Sequence, residues 1–436
     1  MDYLTVAKII SYVLLAINSV MLIHYVFFAL VGFFFKKKFP HTDEKLNYAV
    51  IISARNEESV IGNLIESVRN SNYPQEKLRI FVIAHNCTDK TAEVCRSLGA
   101  TVYEYDNPNE KMKGYALRYL IDKINEDLPE NSFDGFYFLD ADNVVDENFF
   151  DKMNDAFIAE DKKNIITSYR NSKNFGKNPL SACYGLYFLQ GCAFEARGRT
   201  LLGCSTRVQG TGFLVGANLL KNGWNYVTLT EDWEFTADQI IDGNKVIYCD
   251  DAIFYDEQPT SLKIMFTQRL RWQKGHLLVC ITRFKDLIKS LFTPKKKGGS
   301  PHKFSIYDLT INILPVLFIS GCTLLINLIL PLLAPLFGSD VSVIYASLFD
   351  TLKTSIVSYV GTMLIGLILY IREGKRIKHV GFFVAFLSLF IWPLFMWIAI
   401  PLEFIALFKK NVGWNVIPHL DQTTSAELGK NKKDKH

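Results

Sequence analysis

Residues 136–142 read Phe-Tyr-Phe-Leu-Asp-Ala-Asp, a short apolar run closed by two carboxylates. Four apolar residues without alternation predict a strand buried on both faces, as in a parallel sheet, rather than one with a wet face. Working outward, Asn47 to Ala54 (NYAVIISA), Arg79 to Ala84 (RIFVIA) and Thr101 to Tyr105 (TVYEY) are β-rich runs of the same kind. Helix-like segments separate them: Glu57 to Arg69, Thr88 to Leu98 with Gly99 as its stop, and Gly114 to Ile124. Strand and helix in alternation predict an α/β fold with a right-handed βαβ sheet. Ligands of such sheets collect beyond the carboxyl ends of the strands. Three polar clusters stand there: Arg55-Asn56-Glu57, His85-Asn86-Cys87-Thr88-Asp89 and Asp140-Ala141-Asp142. No G-x-G-x-x-G follows the first strand and no G-K-[ST] loop occurs, which argues against a dinucleotide or P-loop site.

Asp140 and Asp142, at i and i+2, project to one side of an extended chain. Two hard carboxylates can hold Mg²⁺ or Mn²⁺ and leave room for phosphate oxygens. An isolated D-x-D also suits a solvated loop; its place at the end of a buried strand favours the ligand role. Thr230-Glu231-Asp232, with Glu234, follows a run that suits strand or turn (YVTL), and such an acidic cluster can equally be a solvated face. In QRLRW, Gln268, Arg271 and Trp272 fall at i, i+3 and i+4 and share one face if the segment is helical. Arginine forks onto phosphate, and an indole packs on the apolar face of a sugar ring. Headgroup anchoring at a membrane surface is the competing use of Arg and Trp.

The chain has 436 residues with Lys+Arg 48 against Asp+Glu 44, a net charge of +4. That balance gives no concentrated basic surface, so no nucleic-acid partner is expected. Eight cysteines without a C-x-x-C pair or a His/Cys cluster indicate neither a zinc site nor a disulfide framework. The apolar residues gather at the two ends. Ile9 to Phe35 carries no formally charged side chain apart from a protonatable His24, and exceeds the ~20 residues that span a bilayer. It runs into Lys36-Lys37-Lys38 without a small-residue cleavage site, so a retained span is expected rather than a signal peptide. The positive-inside rule then puts the following domain in the cytoplasm of a cell bounded by this inner or plasma membrane. Lys295-Lys296-Lys297 precede a second uncharged stretch, Leu309 to Ser339, and a third, Thr354 to Ile371, ends at Arg372, Lys375, Arg376 and Lys378. Val380 to Phe408 is apolar but holds Pro393, Pro401 and Glu403, so a hairpin or an interfacial helix is expected there. Arg197–Gly203 and Leu277–Leu291 alternate basic with bulky apolar residues, as interfacial or ordinary surface helices do. The expected organisation is a span in 1–38, a catalytic domain in 44–292, a membrane and interfacial region in 305–410 and a cytoplasmic tail in 411–436.

In this order, SARNEE from Ser53, the DAD from Asp140, the TED ending at Asp232 and QRLRW from Gln268 resemble the D, D, D, Q-x-x-R-W signature of membrane-embedded family 2 glycosyltransferases. That group includes cellulose, hyaluronan and poly-N-acetylglucosamine synthases. The resemblance spans about residues 47 to 290. It implies a GT-A, Rossmann-like domain that takes a UDP-sugar (UDP-glucose or UDP-N-acetylglucosamine) with Mg²⁺ or Mn²⁺ and inverts the anomeric centre. By it, Asp140 and Asp142 hold the nucleotide and the metal-bound diphosphate, and Asp232 is the general base, with Glu231 beside it. Gln268, Arg271 and Trp272 close over the diphosphate and the acceptor. Arg55, Glu57, Asp89, Lys113 and the Gly210-Thr211-Gly212 turn are further binding positions. Where relatives commonly carry an acidic residue for uracil, this chain has His85, either a base contact or an exposed loop residue.

The expected product is a β-linked polysaccharide elongated at the inner face and exported. The alternative is a single sugar moved to a membrane lipid, and a third reading is a nucleotide-sugar-binding transporter or sensor without turnover. The lipid bilayer is a partner in each, and a homo-oligomer or accessory membrane subunit could complete a channel. Regulation by a cyclic dinucleotide within this chain is not expected, because no PilZ-like basic R-x-x-x-R module follows the last apolar run.

Overall fold

The computed structural model describes residues 3–293, 299–338, 340–413 and 417–429. Lys295-Lys296-Lys297 lie outside the described residues. The chain runs α1 (Tyr3–Phe34), β1 (Tyr48–Ala54), α2 (Ile61–Arg69), β2 (Leu78–His85), α3 (Thr91–Ser97), β3 (Thr101–Tyr105), α4 (Lys113–Asp127) and β4 (Gly135–Asp140). It continues through β5 (Val144–Val145), α5 (Phe149–Ala159), β6 (Ile165–Ser172), α6 (Pro179–Gln190), α7 (Arg197–Leu201), β7 (Phe213–Gly216), α8 (Glu231–Ile241), β8 (Val246–Asp256) and α9 (Leu262–Phe292). The helices α10 (Gly299–Ile313), α11 (Val316–Leu333), α12 (Ser342–Glu373), α13 (Phe382–Trp397), α14 (Ala399–Phe408) and α15 (Ser425–Gly429) complete it.

One sheet has the order β3-β2-β1-β4-β7-β6-β8-β5. The β1–β2, β2–β3 and β1–β4 pairs are parallel, as their apolar runs require. Odd and even residues of β1 enter opposite cores, which explains the lack of alternation: Val50 and Ile52 pack with Ile61, Leu64 and Phe149. Ala49 and Ile51 pack with Leu117, Ile121 and Phe235. Register sets the edge where ligands gather, because Ala54 pairs with Ala84 and Ser53 with Asp140. The polar residues after β1, β2 and β4 therefore emerge side by side. On the far side of the antiparallel β7, β6 and β8 run parallel and end together at Ser172 and Asp256.

Four helical stretches are long and apolar enough to cross a membrane: Lys8–Phe34, Val316–Phe337, Ser342–Glu373 and Phe382–Phe408. Two end on the α/β domain through charges. Lys36, just past α1, meets Asp250 and Asp251. Glu373, closing α12, takes the buried Arg197, which also pairs with Asp250. The expected span from Leu309 is divided: Pro315 cannot donate to a helix ladder, and the chain breaks there between α10 and α11. Leu309 and Ile313 pack instead with Ala237, Ile240 and Val279 of the domain. Phe382–Phe408 bends at Ile398 and lies along the domain. The carbonyls of Ser388, Phe395 and Ala406 accept from Cys183, Arg269 and Lys274. The Arg197–Gly203 stretch is no interfacial helix, since Arg197 and Arg199 are 4% and 1% exposed and spent on ion pairs.

Candidate active site

Asp140 closes β4, and its backbone N–H donates to Thr211 Oγ1 at 2.8 Å and to Asn143 Oδ1 at 3.1 Å. Lys113, the first residue of α4, pairs with the Asp140 carboxylate, donates to the Gly210 carbonyl at 2.7 Å and stands 4.0 Å from Glu231. Asp142 accepts from the Glu257 backbone N–H at 2.9 Å and from Asn143 Nδ2 at 3.1 Å. Burial opposes its charge, but His419, Lys173 and Arg170 outweigh burial and hold the carboxyl below its ordinary range.

Thr230 precedes α8, so Glu231 and Asp232 occupy a helix first turn, where the macrodipole favours carboxylates. Burial nevertheless raises both: Asp232 above the usual aspartate range, and Glu231 to about 7 with Asp232 as a like-charged neighbour. Lys113 and Arg271 pull each of them back. Helix α9 presents Gln268, Arg271 and Trp272 to the same space. A Cβ at Gly275 would collide with Thr230, so glycine lets α9 approach the TED turn closely. Gln268 Oε1 is buried with no hydrogen-bond partner. The Trp272 indole lies among Tyr184, Tyr187 and Phe188, with ring centroids 6.2, 6.4 and 6.2 Å away.

A cavity of about 280 Å³ gathers these groups. Arg55, Glu57, His85, Lys113, Asp140, Asp142, Gly210, Glu231, Asp232, Gln268, Arg271 and Trp272 all line it. Asp89, Thr211 and Gly212 do not face it, and each omission has a physical reason. Asp89 is turned to the start of α3, accepting from Thr91 and from the Glu58 N–H. Thr211 is buried and holds the Asp140 backbone. Gly212 has φ +68°, and the Phe254 ring fills the place of a Cβ. His85 is 2% exposed rather than a solvated loop residue, and its Nε2 lies 2.7 Å from the Glu110 carbonyl oxygen. Of the two forms expected for YVTL, strand is absent and the run ends in a turn at Leu229, while Asp256-Glu257-Gln258 at the end of β8 add a further polar cluster to the wall. The least expected wall is the tail. His419 Nδ1 contacts Glu57 Oε1 at 2.8 Å, and the Leu420 and Asp421 N–H groups donate to Glu257 Oε2.

Asp140 and Asp142 are the carboxylates that would hold a divalent cation. No group of three or more His, Cys, Asp or Glu side chains poised for a metal occurs among the described residues. Two carboxylates are what an ion completed by diphosphate oxygens asks for, and Glu57 adds a buried Oε2 without a partner.

Residues 46–275 match the family "Glycosyltransferase like family 2". The chain is similar to the β-monoglucosyldiacylglycerol synthase of Nostoc sp., 24% identical over 70% of this chain and 64% of that protein. It is also similar to the poly-β-1,6-N-acetyl-D-glucosamine synthase of Staphylococcus epidermidis, 23% identical over 55% of this chain and 57% of that protein. The chain thus spans less than two thirds of either relative's length. Among solved structures, the mannosyltransferase PcManGT of Pyrobaculum calidifontis, in complex with GDP-Man and Mn²⁺, superposes with a TM-score of 0.56. At 14% identity over 93% of this chain and all of that one, the likeness is one of fold. The fold is GT-A, an open Rossmann-like α/β sheet flanked by four candidate membrane helices. The chain belongs to glycosyltransferase family 2 and is a glycosyltransferase.

Proposed function

We propose that the protein transfers a sugar from a UDP-sugar to an acceptor hydroxyl at the cytoplasmic face of a membrane, with inversion to a β-linkage. One observation carries this reading: the Asp140–Lys113 pair, Asp232 and Gln268-Arg271-Trp272 line one cavity. The acceptor oxygen bonds to the anomeric carbon as the carbon–oxygen bond to the diphosphate breaks. The acceptor proton passes to the Asp232 carboxylate and the electron pair leaves with the nucleoside diphosphate. Asp140 and Asp142 would hold Mg²⁺ or Mn²⁺, which neutralises charge on the leaving diphosphate. Lys113, 4.0 Å from Glu231, and Arg271, on the Leu229 carbonyl, place positive charge beside the TED turn. Trp272 packs on the acceptor end, and His85 sits where a nucleobase would be contacted.

Lys36-Lys37-Lys38 after α1 support an inner-face orientation by the positive-inside rule. Helices α1 and α12 finish on the domain, and the tail after α14 returns to the cavity. Three crossings by α1, α11 and α12, with α13–α14 along the inner interface, keep the domain and the tail on one side. Incubating purified protein in lipid with a panel of UDP- and GDP-sugars and Mg²⁺ or Mn²⁺ tests the reading. Release of the nucleoside diphosphate coupled to a β-glycoside is expected, with UDP competing better than GDP. Nucleotide-sugar binding without turnover on any lipid or glycan acceptor would favour the transporter or sensor instead. The relatives divide between a lipid product and a polymer by name; the growing polysaccharide expected from the sequence becomes the second reading, which a crossing by the fourth candidate helix, Phe382–Phe408, would favour.

A further inference from the structure

A second cavity, about 270 Å³, adjoins the first and shares with it Tyr187, Arg207, Trp233 and His276. Its other walls come from α1, α9, the α10–α11 break and α13–α14. Beyond the shared residues one side of the lining is aliphatic, with Leu314, Val316, Leu317, Ala399 and Leu407, while Tyr25, Arg269, Gln273 and Asn312 add polar atoms. Leu22 lines it too and is 37% exposed on the outer face of α1, so the cavity reaches the surface that the apolar helices present. Cations near it are already engaged. Arg207 pairs with Glu195, and Arg269 caps the last turn of α13 at the Phe395 carbonyl. His276 is kept neutral by burial and by Arg207, its pKa lowered to about 3. Among the described lining residues each cation already has a protein contact, Arg207 with a carboxylate and Arg269 with a carbonyl, so a phosphate headgroup would have to displace one of them. Glu403, 7% exposed, lines the cavity with an unpartnered Oε2, which calls for a polar atom part way along an otherwise apolar occupant.

We infer that this cavity is the acceptor site and that the acceptor is an uncharged lipid alcohol entering from the bilayer beside Leu22. This rests on the reading of the first cavity as the transfer site. The lipid hydroxyl lies at the shared wall, where its oxygen bonds to the anomeric carbon, its proton goes to Asp232 and the nucleoside diphosphate departs. The oxygen-bearing backbone sits near Glu403, and the hydrocarbon lies against Leu314, Leu317 and Leu407. The stretch formed by Leu314, Val316, Leu317, Ala399 and Leu407 is apolar, which suits hydrocarbon better than the many hydroxyls of a glycan.

The test uses the full chain in phosphatidylcholine vesicles containing a diazirine-bearing diacylglycerol. Illumination should label residues within 311–317 or 396–407, and Leu314→Trp and Ala399→Trp should each cut labelling about tenfold while UDP-sugar binding holds. With UDP-sugar present, radiolabel should pass to a chloroform-extractable product carrying a single sugar. Sugar label confined to a water-soluble polymer, or photolabel outside those segments, would overturn the inference while leaving the transfer reading intact. Photolabelling of the cavity without turnover of any nucleotide sugar would instead overturn the transfer reading alone.

Discussion

Arg271 Nη1 donates to the carbonyl oxygen of Leu229 at 3.0 Å, so the guanidinium of the QRLRW run holds the segment that leads into Asp232. The same cation pulls the raised carboxyls of Glu231 and Asp232 back toward ionisation. Position and protonation of the base are thereby tied to one residue of another helix.

Arg271→Ala should therefore reduce kcat by about 10²-fold, the scale of a displaced reacting group. Arg271→Lys should recover part of it by charge but not the planar fork. Steady-state kinetics with donor binding measured separately checks this: a defect confined to donor affinity would place Arg271 on the diphosphate alone.

Trp272→Ala should raise the acceptor KM more than it weakens nucleotide binding, because its ring lies among Tyr184, Tyr187 and Phe188 rather than beside Asp140. Aromatic contacts of this kind contribute about 0.5–1.5 kcal/mol beyond area burial, so a change of several-fold is the expected size. Titration calorimetry with UDP against acceptor kinetics separates the two effects.

His419→Ala should loosen the tail. The imidazole contacts Glu57 at 2.8 Å and the tail is further held by Asn63 Nδ2 on the Gln422 carbonyl and Lys173 Nζ on that of Asp421. Limited proteolysis should cut the variant between residues 409 and 424 several-fold faster than the parent, and a donor should slow cleavage of the parent. Equal cleavage rates would mean that the backbone contacts suffice.

The central strands were legible because burial on both faces demands unbroken apolar runs, and their boundaries differ from expectation by a residue or so at each end. Helix α9 was legible in its one-sided Gln268, Arg271 and Trp272. Strands β6 and β7 were not: IITSYRNS mixes polar residues into a strand whose polar positions bond within the domain, as Ser168 does to the Gly212 carbonyl. Strand β7 has four residues, too few for a period. The tail was beyond reach, since His419 and Glu57 are 362 positions apart and only the folded chain joins them. Asp89 could not be told from a ligand in sequence, because an aspartate that braces the loop ahead of a helix looks the same after a strand as one that faces a cavity. Arg197 and Arg199 misled because basic residues among bulky ones signal either lipid headgroups or buried carboxylates, and Glu373 and Asp308 become visible as partners only in three dimensions.

The pH profile follows from the buried pair. A general base works deprotonated, so kcat/KM should fall as pH drops through the Asp232 pKa, and burial places that limb above the ordinary aspartate range. Glu231, raised to about 7 by burial and by the charge on Asp232, is still protonated where Asp232 ionises. Glu231→Gln therefore removes no charge from that range, and the acid limb should stay in place while the ionisation near 7 is lost. Asp232→Asn removes the limb with the reaction, lowering transfer by about 10²–10⁴-fold while UDP binding is retained. A profile measured from pH 5 to 9 on the three proteins decides the matter. An acid limb that is lost or moves in Glu231→Gln would mean that Glu231 is the titrating group, and an Asp232→Asn variant with ordinary turnover would remove the Asp232 carboxylate from the proton's path.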